Sequence, residues 1–245
     1  MKETIETNRD WRVFWKSVGE RTGRDDLFRQ VGRTVGGVPV PQEQIELLVR
    51  VVAQRLDLNG DDVLLDLCCG NGHVTARLSA LCRAVVGADY SLELIQVARE
   101  SQAKPNVAYL HRSAEDLRPT DFPSGAPTKI CMNQGLQHFT LAMAERLLRS
   151  LRKLARHDLA LYFTDVPDAA KLHAFYNTPE RWAEFEQRRA AGTEAIGTWW
   201  AREHVASLFE AAGYAVSIID VEPERYTAHY RFDVLAHLLP EAKLI

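Results

Sequence analysis

The densest chemistry in this chain lies in Asp66-Leu67-Cys68-Cys69-Gly70-Asn71-Gly72-His73, directly after the apolar run Val63-Leu64-Leu65. An acid ending a strand, followed by glycines at alternate positions, describes a turn where a ligand can approach the main chain. A second acid, Asp89, closes the next apolar run, 19 residues beyond Gly70. In an open α/β sheet, ligands bind outside the carboxyl ends of the strands, and both acids fall there. Asp89 could accept hydrogen bonds from both hydroxyls of a ribose. Together the two features point to a nucleoside-containing ligand. A dinucleotide fingerprint would need a third glycine where this chain has Thr75, and a pyrophosphate is disfavoured beside Asp66. A ligand bearing cationic amino and sulfonium groups suits an acidic loop better.

The elements that must position these residues are readable from periodicity. Ile45, Leu48, Val52 and Leu56 share one face of a helix over 42–56. Short apolar runs predict strands at 62–66, 84–89, 107–111, 129–132 and 159–163. Between them, helices are expected over 74–82, over 91–101 with Ser91 as cap, and around Ala144, Leu147, Leu148, Leu151 and Leu154. This alternation implies a parallel sheet covered on both faces. The runs 216–221 and 226–234 are separated only by Glu222-Pro223-Glu224-Arg225, so they should pair as an antiparallel hairpin. Residues 1–41 read as a helical arm or lid carrying Trp11, Phe14, Trp15 and Phe28, ending in a Gly/Pro joint. The main domain then covers 42–245, with a polar, aromatic-rich helical insert over 168–198.

These motifs resemble the class I S-adenosylmethionine-dependent methyltransferases over roughly residues 42–236. The family pattern is met at Asp66, Gly70 and Gly72, with Cys68 at the first glycine position. The resemblance implies a Rossmann-like seven-stranded, mostly parallel sheet with helices on both faces and a C-terminal antiparallel hairpin. It also implies S-adenosyl-L-methionine as cofactor. By that resemblance Asp66, Cys68, Gly70 and Gly72 hold the methionine portion and Asp89 the ribose. Tyr90 lies against the adenine, Ser113, Ala114 and Glu115 meet the adenine edge, and Asn133 lines the cleft.

Methyl transfer to a hydroxyl needs a base, and His138, in Asn133-Gln-Gly-Leu-Gln-His138, is the candidate. His229 with Tyr230 and Arg231, and His204 after Trp199-Trp200, are secondary candidates. Asp165, Asp168 and Asn133 make a thin ligand set for magnesium, and no metal is expected. The expected acceptor is a small organic molecule such as a sugar, polyketide or phenol. The alternatives are a methyltransferase acting on RNA or protein, with Arg146, Arg149, Arg152, Lys153 and Arg156 as a basic footprint, and a nicotinamide-dependent oxidoreductase. A net charge of -3 and the absence of a long basic run argue against nucleic acid as partner. No apolar stretch reaches membrane-spanning length, and the N-terminus lacks the apolar core of a signal peptide. Cys68, Cys69, Cys82 and Cys131 form no C-x-x-C pair and read as reduced thiols. A cytoplasmic monomer or homodimer is expected.

Overall fold

Continuous apolar runs become buried strands in this protein, and amphipathic runs become the helices covering them. The computed structural model describes residues 3–7, 9–154 and 158–240. In chain order the elements begin with α1 (Trp11–Arg21), a small antiparallel pair β1 (Thr34–Val35) and β2 (Val38–Pro39), and α2 (Gln42–Leu56). They continue with β3 (Val63–Leu67), α3 (Thr75–Leu78), β4 (Ala84–Asp89), α4 (Leu92–Ser101), β5 (Val107–His111) and β6 (Lys129–Asn133). The remainder is α5 (Leu141–Leu154), β7 (Ala160–Pro167), α6 (Leu172–Phe175), α7 (Pro179–Ala190), α8 (Arg202–Ala211), β8 (Tyr214–Asp220) and β9 (Arg231–Leu238). Seven strands form one sheet in the order β5-β4-β3-β6-β7-β9-β8. β3 runs parallel to β4 and β6, β4 runs parallel to β5, and β9 is antiparallel to β7 and β8. This is the Rossmann-like fold expected from the sequence.

The chain divides into two compact units, Trp11–Met132 with Leu154–Leu159, and Met1–Asp10 with Asn133–Lys153 and Ala160–Ile245. The arm is therefore shared: its first ten residues group with the C-terminal half and the rest with the glycine loop.

In the first unit every residue of β3 and β4 is buried, as a strand covered on both faces requires. Ser91 caps α4, its hydroxyl accepting from the Leu94 amide at 3.3 Å. The helix expected over 74–82 is shorter than its pattern. α3 ends at Leu78 and a 3₁₀ turn follows over Ser79–Leu81, where the Ser79 hydroxyl donates to the Ala76 carbonyl at 2.9 Å.

In the second unit β7 is longer than its apolar run and carries a bulge between Phe163 and Val166, with Asp165 at φ +59°. The hairpin is antiparallel as expected, but its strands are 214–220 and 231–238. Residues 226–230 form a turn instead of strand, because Arg225 and Thr227 reach back to Asp165. Along α5 the apolar face is buried, Arg149 pairs with Glu145 at 3.6 Å, and Arg152 donates to the Ala212 carbonyl at 3.3 Å. Arg156 lies outside the described residues. No helix among them is long and apolar enough to cross a membrane.

Candidate functional site

The loop leaving β3 is held open by backbone conformation and by the second acid. Cys68, Gly70 and Gly72 have φ of +54°, +56° and +76°. Two of the three are glycine, which adopts this region freely, while Cys68 does so at a cost. Asp89 clamps the loop to the end of β4. Its carboxylate accepts the Gly70 amide at 2.9 Å on one oxygen and the Ser91 amide at 2.9 Å on the other. Burial still raises its carboxyl above the usual range, against those bonds and the nearby His111.

Asp66 sits beneath the loop, only 1% exposed. Thr75 donates its hydroxyl to one oxygen at 2.6 Å, and the Cys131 thiol lies 3.3 Å from the other. Burial pushes its carboxyl up to about 6, opposed by these two bonds and by the charge of Arg33. Asp66 thus shapes the loop and its field; it does not present an open carboxylate. Burial and the two acids push the Cys68 and Cys69 thiols well up, so neither is a thiolate at neutral pH.

The arm packs onto this loop. The Asn71 amide donates to the Leu27 carbonyl at 2.8 Å and to the Gln30 side chain at 2.9 Å. Phe28 meets the His73 ring edge-on at 5.2 Å. A Cβ on Gly70 would lie 2.8 Å from Val31, and one on Gly72 would lie 2.7 Å from the Tyr109 hydroxyl. Tyr90 donates to the Trp11 carbonyl at 3.0 Å, and the Arg12 guanidinium lies 5.7 Å from its ring centre.

One residue here was not readable as functional. Arg33 is 8% exposed, and its charge acts on both Asp66 and His73. Among the described residues its guanidinium has no hydrogen-bond acceptor. No motif marks it: it is one arginine in a polar segment, and only the docking of the arm brings it to the loop.

The segment before Ser113 adjoins Asp89 through the Arg112 amide, which donates to the Asp89 carbonyl at 2.9 Å. Ser113 precedes a 3₁₀ turn over Ala114–Asp116, with Ala114 buried. The structure therefore gathers Asp66, Cys68, Gly70, Gly72, Asp89, Tyr90 and 113–115 within one unit. Asn133 falls in the other, where its side-chain oxygen accepts from the Thr164 hydroxyl at 2.9 Å.

That second unit contains His138, in a 3₁₀ turn over Leu136–His138. Burial, then the charges of Arg231 and Arg9, push its imidazole down to about 3. A general base must become imidazolium, and burial and two guanidiniums oppose that here. Arg231 donates to the Gln137 side chain at 2.6 Å and to the Asp165 carbonyl. Asp165 is tied to Arg225 at 2.6 Å and accepts from Thr227. Asp168 accepts from the Ala170 amide and from Arg202, both at 2.9 Å. Both acids proposed for magnesium are thus committed, and no metal-holding cluster occurs among the described residues. His229 lies in the turn before β9, so the strand-face argument for it fails; its ring is stacked 6.4 Å from Phe175. His204 is engaged with the Thr4 hydroxyl at 2.9 Å.

Comparison with known proteins adds to this geometry. A methyltransferase-domain family model matches residues 64–158. A chondramide synthase of Chondromyces crocatus is 27% identical over 162 residues, which is 64% of this chain and 4% of the synthase. An uncharacterized methyltransferase of Schizosaccharomyces pombe is 45% identical over 89 residues, 36% of this chain and 33% of that protein. The chain thus spans at most a third of either relative's length. The magnesium protoporphyrin IX methyltransferase of Synechocystis PCC 6803, solved with bound S-adenosylhomocysteine, superposes with a TM-score of 0.61 at 16% identity, covering 94% of this chain and 98% of that one. That likeness is one of fold.

Proposed function

We propose that this chain, a member of the class I S-adenosylmethionine-dependent methyltransferases, moves the cofactor's methyl group onto an oxygen of a small organic acceptor. The observation that carries the reading is the charge pattern around residues 66–72. Arg33 is 8% exposed as a residue, and its charge lowers the carboxyl of Asp66, which lies beneath the same loop. An amino-acid zwitterion needs this pattern, an anion site and a cation site a few ångströms apart. A pyrophosphate would meet Asp66 and Asp89 as like charges. At pH 7 Asp66 is still mostly the anion, since its carboxyl is pushed only to about 6.

In this reading Arg33 pairs with the methionine carboxylate, as a charge-assisted hydrogen bond. Loop residues 68–72 hold the methionine portion, with the field of Asp66 favouring its ammonium group. The Asp89 carboxylate, anchored by the Gly70 and Ser91 amides, is the group that takes the ribose hydroxyls. Tyr90 and residues 113–115 receive the adenine. The bound cofactor supplies a methyl already activated on a sulfonium. What remains for the protein is alignment and the exclusion of water. Residues 1–41 and 168–198 shape the acceptor side, and the setting is a cytoplasmic one. His138 stays a neutral imidazole and stores no proton. Calorimetry tests the reading: S-adenosylhomocysteine should bind the full chain and NADH should not. Binding of NADH alone would reverse the assignment.

A further inference from the structure

The aromatic cluster of the second unit borders two buried N–H groups, Arg231 Nε and Trp199 Nε1, that have no hydrogen-bond partner among the described residues. Arg231 is 3% exposed; its Nη1 is engaged by Gln137 and Asp165, but its Nε has no partner. Trp199 is fully buried, and its indole Nε1 also has none. Both groups flank one ring: the Arg231 guanidinium carbon lies 4.8 Å from the centre of Tyr230, and the Trp199 ring lies 6.0 Å from it. Buried donors are almost always satisfied, so a pair left open around one ring marks the place of an acceptor that comes from outside.

The chemistry of that acceptor follows from what surrounds it. The buried carboxylates described in this unit are already engaged. Asp165 and Asp233 are held by Arg225, Asp168 by Arg202, and Glu194 by the Tyr176 hydroxyl and the Ile196 and Gly197 amides. Asp165 and Glu194 partly offset Arg231 and Arg9, yet at His138 the guanidiniums prevail. A neutral hydroxyl would need a base that this environment does not provide. A carboxylate needs only donors, and it carries no proton to lose. Phe175, 4.5 Å from Tyr230 and 5.8 Å from Trp199, adds a flat apolar surface.

We propose that the acceptor is an aryl carboxylate, anchored by Arg231 and Trp199 and methylated on its carboxylate oxygen. This rests on the methyl-transfer reading above. The step balances without a proton: the carboxylate oxygen forms a bond to the methyl carbon, the carbon–sulfur bond breaks, and its electron pair stays on sulfur. An anion and a sulfonium cation become a neutral ester and a neutral thioether.

The test titrates the full chain, followed by tryptophan fluorescence, with cinnamate and with its neutral isostere cinnamamide. Cinnamate should bind at least about tenfold more tightly. Arg231→Lys should keep part of that preference and Arg231→Gln should abolish it. Arg231 is buried and its replacement can cost folding, so Trp199→Phe serves as the milder variant; losing the indole donor should weaken cinnamate several-fold. Label passed from the methyl donor to a bound acid should be released as methanol by mild alkali, as an ester's is. Equal binding of the two probes, binding of neither at millimolar concentration, or a methyl that survives alkali overturns the proposal. If S-adenosylhomocysteine still binds in those cases, the methyltransferase reading stands; if it does not bind, that reading has failed first.

Discussion

Replacing Arg33 by methionine should separate cofactor affinity from stability. Arg33 is 8% exposed as a residue, and among the described residues its guanidinium has no hydrogen-bond acceptor. Its charge helps to hold the Asp66 carboxyl down, at about 6. Removing an uncompensated cation of this kind costs the empty protein little, within about 1 kcal/mol and of either sign. Binding is different. Once a ligand carboxylate occupies the site, truncating one member of a buried charge pair costs about 2–5 kcal/mol, or roughly 30-fold or more in Kd. Calorimetry with S-adenosylhomocysteine and thermal melts with and without it measure both quantities on one sample. The expected result is a melt of the ligand-free variant close to the wild type's, with the ligand-induced rise in Tm largely gone. Wild-type affinity in Arg33→Met would refute the zwitterion argument. A variant that melts several kcal/mol earlier without ligand would show that Arg33 is structural.

Three other outcomes follow from the same site. His138 takes up a proton in the unfolded chain near 6.5 but in the folded protein only near 3, so its contribution to stability is lost as pH falls from about 6.5 toward 3. The pH–rate profile should show no break near 6.5, and a break there that vanishes in His138→Gln would restore the general base. Asp66 has the opposite pattern: its folded value, raised from 3.8 to about 6, means stability falls as pH rises through that window, by about 3 kcal/mol in all. Denaturant midpoints of Asp66→Asn relative to the wild type should therefore rise between pH 4 and 7, and a constant difference would contradict the burial argument. Cys68→Gly relieves a left-handed cysteine at φ +54° and should stabilise by up to about 1 kcal/mol without loss of cofactor affinity, whereas a clear destabilisation in chemical melts would show that the thiol packs for a purpose.

Elements whose identity is set by their own residues were legible in advance. The helix over 42–56 and the strands over 84–89 and 107–111 coincide with the structure because apolar spacing decides them locally, and a single capping serine, Ser91, likewise sets the start of α4. The loop acids were legible for the same reason: each closes an apolar run. What could not be read depends on partners distant in sequence. The last strand begins at Arg231 and not Tyr226 because the Arg225 and Thr227 side chains bind Asp165, about 60 positions earlier. The bulge at Asp165 leaves no trace in the pattern of β7. Arg33 enters the site only because Leu27 and Gln30 dock on Asn71. The environment of His138 has the same origin, since it is made by burial and by the charges of arginines at positions 9 and 231.

A crystal of the full chain grown with S-adenosylhomocysteine tests the reading most directly. The amino-acid carboxylate should lie against the Arg33 guanidinium, with both ribose hydroxyls on Asp89. Ligand density away from residues 66–72, or a ribose that leaves Asp89 untouched, would contradict it.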